Sequence, residues 1–239
     1  GTARRRGADL IERRGPDHRD ERAPLLAHRW DEAGGALQAA RWHRRAADWV
    51  ARTDLGAANR HWSRVRALLP VLPKDSEASA FAVSACHQLL SLGWRFGVGS
   101  VESDELLEQG RTHARDINDQ RAELALSTAH ARARLGADGD SAAYLKAATE
   151  CDRAAHESGD LIAQANAWWQ LVDALTWVAR FPEAIQLANE GLARYPRLAT
   201  SDGWAGLAPD LVSSFWLGGN LTWTGQIKAG FKEWERTRR

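Results

Sequence analysis

Apolar residues in this chain recur at steps of three and four, the signature of helices with one buried face. The clearest run is residues 160–180, where Leu161, Ala165, Trp168, Val172, Leu175 and Ala179 share a face. Phe181-Pro182 ends it, because a residue preceding proline disfavours the α region. A second helix starts at Pro182 or Glu183, where proline is tolerated in the first turn. Ile185, Ala188 and Leu192 give it an apolar stripe, and Tyr195-Pro196 stops it. The result is a helical hairpin with a short loop.

The same unit recurs along the chain. Residues 20–33 and 36–52 pair around Gly34-Gly35, and residues 119–135 and 141–157 pair around the turn 136–140. Residues 77–92 and 104–116 form a looser pair around a Gly-rich stretch, 93–100. Residues 207–217 and 226–237 close the series, and a helix over 55–69 sits between the first two pairs. This predicts about ten to twelve helices and no sheet. Pro70 and Pro73 keep the following segment irregular. They divide a first helical region, 1–73, from continuous repeats over 74–239.

Each second helix opens with a turn followed by a small residue: Ala39, Ala184 and Ala229. Hairpins repeating at about 36–45 residues cannot bury their apolar faces alone, so they stack. The turn-then-alanine pattern resembles the tetratricopeptide repeat, with Gly159-Asp160, Ala163 and Ala167 at a first-helix opening and Ala184 and Ala188 in a second helix. The full Trp-x-x-Leu-Gly-x-x-Tyr pattern is absent, and the helices are longer than the standard ones. The implied fold is all-α, a right-handed superhelical solenoid of antiparallel helical hairpins.

A more specific likeness lies at the front, in Pro24-Leu25-Leu26-Ala27-His28-Arg29-Trp30-Asp31-Glu32-Ala33-Gly34 and Ala39-Ala40-Arg41-Trp42-His43-Arg44-Arg45-Ala46-Ala47-Asp48-Trp49. It resembles the start of the repeat region in multidomain bacterial adenylate/guanylate cyclases and related ATPase-containing transcription regulators. In that family the helical repeats follow a P-loop ATPase domain and, where present, a cyclase domain. This chain matches only the repeats. It has no Gly-x-x-x-x-Gly-Lys-[Ser/Thr] loop and no segment matching a cyclase's metal-binding aspartates, so no nucleotide site carries over.

Composition sharpens the picture. The chain has 239 residues with twelve tryptophans and no methionine, which together with a Gly1-Thr2 start points to a piece of a larger protein. No apolar run approaches the ~20 residues needed to span a bilayer. Arg4, Arg5 and Arg6 are not followed by a signal-peptide core, and a cytoplasmic setting is expected. The net charge of +1 hides an asymmetry: +6 over the first 66 residues and −5 over the rest. Arg41, Arg44 and Arg45 stand among Trp42 and Trp49 in the basic part. Interleaved bases and aromatics can grip nucleic acid, but a solvated or interdomain face fits the near-neutral whole better.

Candidate chemistry is sparse. Gly97-Val98-Gly99-Ser100 lacks the lysine of a phosphate loop and reads as a linker. Asp138-Gly139-Asp140-Ser141 has the wrong spacing for a calcium loop and reads as a turn, with Asp140 or Ser141 as N-cap. His28 and His43 are placed to face each other across the first hairpin, with His61 one helix later, but no zinc ligand set is indicated. Cys86 and Cys151 read as small buried hydrophobes. No catalytic, cofactor or metal residues are assigned.

First helices line the concave groove of such a stack, so Trp94, Trp169, Trp177 and Arg180 are candidate anchors there, with an all-core reading equally open. Arg41, Arg44 and Arg45 are candidates for a second surface. The leading expectation is a non-catalytic regulatory scaffold that docks a protein, a peptide, or neighbouring domains of its own polypeptide. Two alternatives stay open: an all-α enzyme or ligand binder with an aromatic pocket, and a structural dimerisation arm. The Gly-, Trp- and Leu-rich stretch 204–223 would leave a terminal face in need of a cap, which predicts a homodimer through it.

Overall fold

The computed structural model of the chain describes residues 20–51, 53–195 and 209–236. Eleven α-helices lie within them: α1 (Ala23–Glu32), α2 (Ala36–Val50), α3 (Leu55–Leu68), α4 (Ser76–Phe96), α5 (Ser100–Asp116), α6 (Gln120–Asp138), α7 (Ser141–Ser158), α8 (Leu161–Trp177), α9 (Phe181–Arg194), α10 (Pro209–Trp223) and α11 (Ile227–Arg236). A short 3-10 turn, Leu69–Val71, follows α3. The described residues contain no strand.

Aspartates start many of these helices by accepting a first-turn N–H. Asp54 bonds Ala57 (2.8 Å), Asp75 bonds Ala78 (2.9 Å), Asp119 bonds Ala122 (3.0 Å) and Asp140 bonds Ala143 (3.0 Å). Asp160 bonds Ile162 at 2.9 Å. Each cap satisfies a donor that the helix itself cannot pair. Asp140, not Ser141, is the cap of α7.

Successive helices pack against one another as antiparallel pairs, and the pairs stack, with α4 also packing on α6 and α8 on α10. The architecture is an all-α solenoid. One apolar cluster runs from Ala23 in α1 to Ala133 in α6, so the helices on either side of residue 73 share a core. A smaller cluster joins α6, α7 and α8 around Tyr144, and a third joins α8, α9 and α10 around Trp168. Large residues meet small ones at the crossings. A Cβ added at Gly191 in α9 would lie 1.9 Å from Cε2 of Trp168. That ring is buried, and its Nε1 donates to the Leu187 carbonyl at 2.9 Å.

The largest differences from the sequence reading lie at two boundaries. The stretch 93–100 is not all loop: α4 continues to Phe96, and α5 begins at Ser100. Gly93 is an approach site, where a Cβ would sit 3.1 Å from Val98 Cβ. The chain turns at Gly97, whose φ of +72° suits glycine. Near the end, α10 runs to Trp223, six residues beyond the expected stop. Gly218 lies inside it because the Trp234 ring occupies the space a side chain would need. Arg52, Trp204, Leu207 and Thr237 fall outside the described residues.

Candidate docking surfaces

The basic front of the chain is tied down by its own carboxylates. Arg41 makes a two-point ion pair with Glu77 (2.7 Å each), linking α2 to α4 and holding the Glu77 carboxyl below the usual range. Arg45 bonds Asp20 at 2.5 Å and lies over the Trp42 ring, 5.6 Å from its centroid. Arg64 forks onto Asp31 (2.9 and 3.0 Å). Arg44 is exposed beside Glu77.

The histidine pairing differs from expectation. His43 faces His61, not His28: their Nδ1 atoms are 2.8 Å apart, and His43 Nε2 is 2.8 Å from Asp31. His28 lies outside, 3.3 Å from Glu32. The pair arises because α3 packs directly on α2, bringing in a residue that hairpin logic leaves out. Burial pushes the pKa of His43 down, against the pull of Asp31, and pushes His61 down to about 4. Among the described residues no group of three His, Cys, Asp or Glu is placed to hold a metal ion. Burial also raises both thiols, Cys86 to about 11, which leaves little thiolate for nucleophilic work.

A buried polar spine crosses the middle of the molecule. Asp173 in α8 is fully buried. One carboxylate oxygen accepts from Arg132 Nε of α6 and from the Tyr144 hydroxyl of α7 (3.0 Å). The other accepts from Trp177 Nε1 at 2.9 Å. The Arg132 guanidinium lies over the rings of Trp94 and Tyr144, 5.6 and 5.8 Å from their centroids. Burial raises the pKa of Asp173 from its ordinary value. All three partners are donors, so the ionised form is the one they hold. Sequence reading missed this residue, whose only signal is a lone acid within an apolar helix.

Two concave surfaces flank the spine. The first is a cleft of about 990 Å³ where α6 and α8 stand apart and α7 forms the floor. Its apolar lining mixes small residues, Ala122, Ala125, Ala154 and Ala163, with Leu124, Ile162 and Trp169, and Asn118, Gln120, Asn166 and Gln170 border it with amides. An exposed Arg121–Asp160 ion pair crosses one end, and the Arg132–Asp173 pair closes the other. Asp119, Glu157 and Asp160 line the cleft against Arg121 and Arg132. With Arg132 neutralised by Asp173, the local balance is negative.

The second is a groove of about 750 Å³ among α8–α11, lined by Trp177, Phe181, Phe215, Trp216, Trp223 and Trp234. The sequence candidates are thus divided. Trp169, expected either as an exposed anchor or as core, is only 6% exposed and forms part of the cleft wall. Trp177 is half-exposed in the aromatic groove, and Trp94 is partly exposed over the spine. Arg180 forks onto Glu183, 2.6 Å from Nε, beside the groove. Phe181, Phe215 and Trp223 were not singled out from sequence, because a ring's exposure depends on which helices cover it.

No family model matches the chain, and no curated protein matches it. Two solved structures are similar over 93% of this chain and 95% of theirs, at 15% identity. Both are of the nearly identical TPR-like repeats of a kinesin light chain candidate from Podosopora anserina, with TM-scores of 0.43 and 0.42.

Proposed function

We propose that the chain is a non-catalytic protein-interaction module that receives an extended segment of a partner in the α6–α8 cleft. The observation that carries this reading is the gap itself. Among the first helices of the later pairs, α4 meets α6 and α8 meets α10, but α6 and α8 barely touch. An extended segment brings unpaired backbone N–H and C=O groups that need partners when buried. Side-chain amides offer both donors and acceptors, and four of them border the cleft. The alanines of its lining leave room for side chains, and the negative charge there favours a segment carrying Lys or Arg. The chain would act as a cytoplasmic regulatory arm of a larger signalling ATPase or nucleotide cyclase, a placement supported by the likeness of its first repeat to such proteins. Docking there would bias the attached domain.

Selection of a random linear peptide library on the whole chain, followed by titration of the enriched peptides, tests the reading. Ala163→Trp fills the cleft from α8 at a partly exposed position. It is expected to weaken binding ~10-fold or more while leaving the melting temperature nearly unchanged. Peptides that bind wild type and Ala163→Trp equally would overturn the cleft as the site.

A further inference from the structure

We infer that the aromatic face formed by α8–α11 docks a second copy of the chain. The rings there form one surface. Phe231 packs edge-on to Trp234 (centroids 5.4 Å apart), and Trp234 Nε1 donates to the Phe215 carbonyl (3.0 Å). Phe215 meets Trp216 at 5.5 Å, and Trp216 meets Trp177 at 6.3 Å. Phe181 and Trp223, 5.7 Å apart, line the same groove. Leu211 and Ile227 sit one turn before Phe215 and Phe231. The six apolar residues Leu211, Phe215, Trp223, Ile227, Phe231 and Trp177 are each between 39% and 58% exposed.

The groove selects its occupant by what it lacks. Among the described residues of its lining the polar side-chain groups are indole N–H groups, which donate but do not accept, and Thr176, whose hydroxyl donates to the Val172 carbonyl at 2.8 Å and accepts from Asn220 at 2.8 Å. An extended segment would therefore bury backbone N–H groups with no side-chain acceptor there. A helix keeps its backbone bonds internal and presents only side chains. The surface itself carries such a helix: α11 projects Ile227 and Phe231 beside the groove. A groove and an exposed apolar ridge on one face are what a two-fold, self-complementary contact requires.

Area and charge agree with this pairing. Half-exposed aromatics and aliphatics of this number present about 600 Å² per copy, the upper end of the largest apolar patch on an ordinary monomer and of the size that marks interaction surfaces. Two such faces bring together about 1,200 Å², the lower end of stable interfaces. Along the outer edge of α11 run Lys228, Lys232 and Glu235. An antiparallel crossing near Phe231 sets Lys228 of one copy beside Glu235 of the other. Arg180 and Glu183, next to Phe181 of the groove, neutralise each other, as do Arg236 and Glu233 next to Trp234.

Sedimentation equilibrium of the 239-residue chain from about 1 to about 200 µM tests the inference. The expected result is a reversible monomer–dimer equilibrium. Phe231→Asp, at an exposed position, should shift it to monomer with unchanged helical circular dichroism. Lys228→Glu should weaken the dimer, and Lys228→Glu with Glu235→Lys should restore it. A monomer throughout overturns the inference and leaves the face to another segment of the polypeptide. A dimer that survives Phe231→Asp overturns it too. Peptide binding in the α6–α8 cleft is read separately, since Phe231→Asp leaves that cleft intact.

Discussion

Asp173 and the His43–His61 pair show how single residues are set by what encloses them. A carboxylate with burial as complete as that of Asp173 is unfavourable unless donors meet both of its oxygens. Arg132, Tyr144 and Trp177 meet them, and the spine they form fixes one ring that borders the aromatic groove. The histidines are the reverse case, groups held neutral. Each has a folded pKa below its unfolded value, His61 most strongly. As pH falls through about 6.5 toward about 4, the unfolded chain binds protons that the folded pair refuses, so stability declines across that window. The charges of Arg64 and His28 push His43 the same way and that of Arg60 does so for His61, while Asp31 opposes it at His43. Burial opposes the charge on Asp31, but Arg64 and His43 outweigh it and hold its carboxyl below the usual range. Its own contribution is therefore lost only at more acid pH. Urea unfolding at about pH 7 and about pH 5 should show a lower midpoint at the acid value, and His61→Gln should shrink the difference. An equal difference in the variant would remove His61 as its source. Little of this was legible from the motifs, because His61 and Arg64 reach the first hairpin from α3, and Asp173 reaches Arg132 and Tyr144 from α8, each a helix outside the hairpin it completes.

At the scale of elements, helix existence was legible and helix ends were less so. The steps of three and four located α8 and α9 closely, and the proline after Phe181 marked their junction. The errors came at glycines. Gly93 and Gly218 read as loop residues, but each lies within a helix where another side chain needs the space. A single sequence does not distinguish a glycine that turns the chain from one that admits a neighbour. Gly191 makes the distinction measurable. In an open helix, Gly→Ala stabilises by up to about 1 kcal/mol. Here the added methyl meets the Trp168 ring, and overpacking of this kind costs about 1–3 kcal/mol. Gly191→Ala should lower the urea midpoint, and a rise would show that α8 and α9 pack less tightly than described.

For the whole molecule, the repeat period and the turn-then-alanine openings were enough to give a stack of antiparallel helix pairs. The uneven charge was legible too, but its role was not: most of the front arginines named are paired within the chain, Arg41 to Glu77 across two helices. The cleft was invisible for a different reason. It arises from the spacing of α6 and α8, set by the ion pairs at its two ends and by α7 beneath it, and no local pattern encodes that distance. The central claim is that a partner segment enters there. Hydrogen–deuterium exchange of the whole chain, with and without a library-selected peptide, tests it most directly. Slowed exchange concentrated in residues 118–132 and 160–170, with residues 209–236 little changed, is the predicted result. Protection confined to residues 209–236, or no protection at saturating peptide, would contradict it.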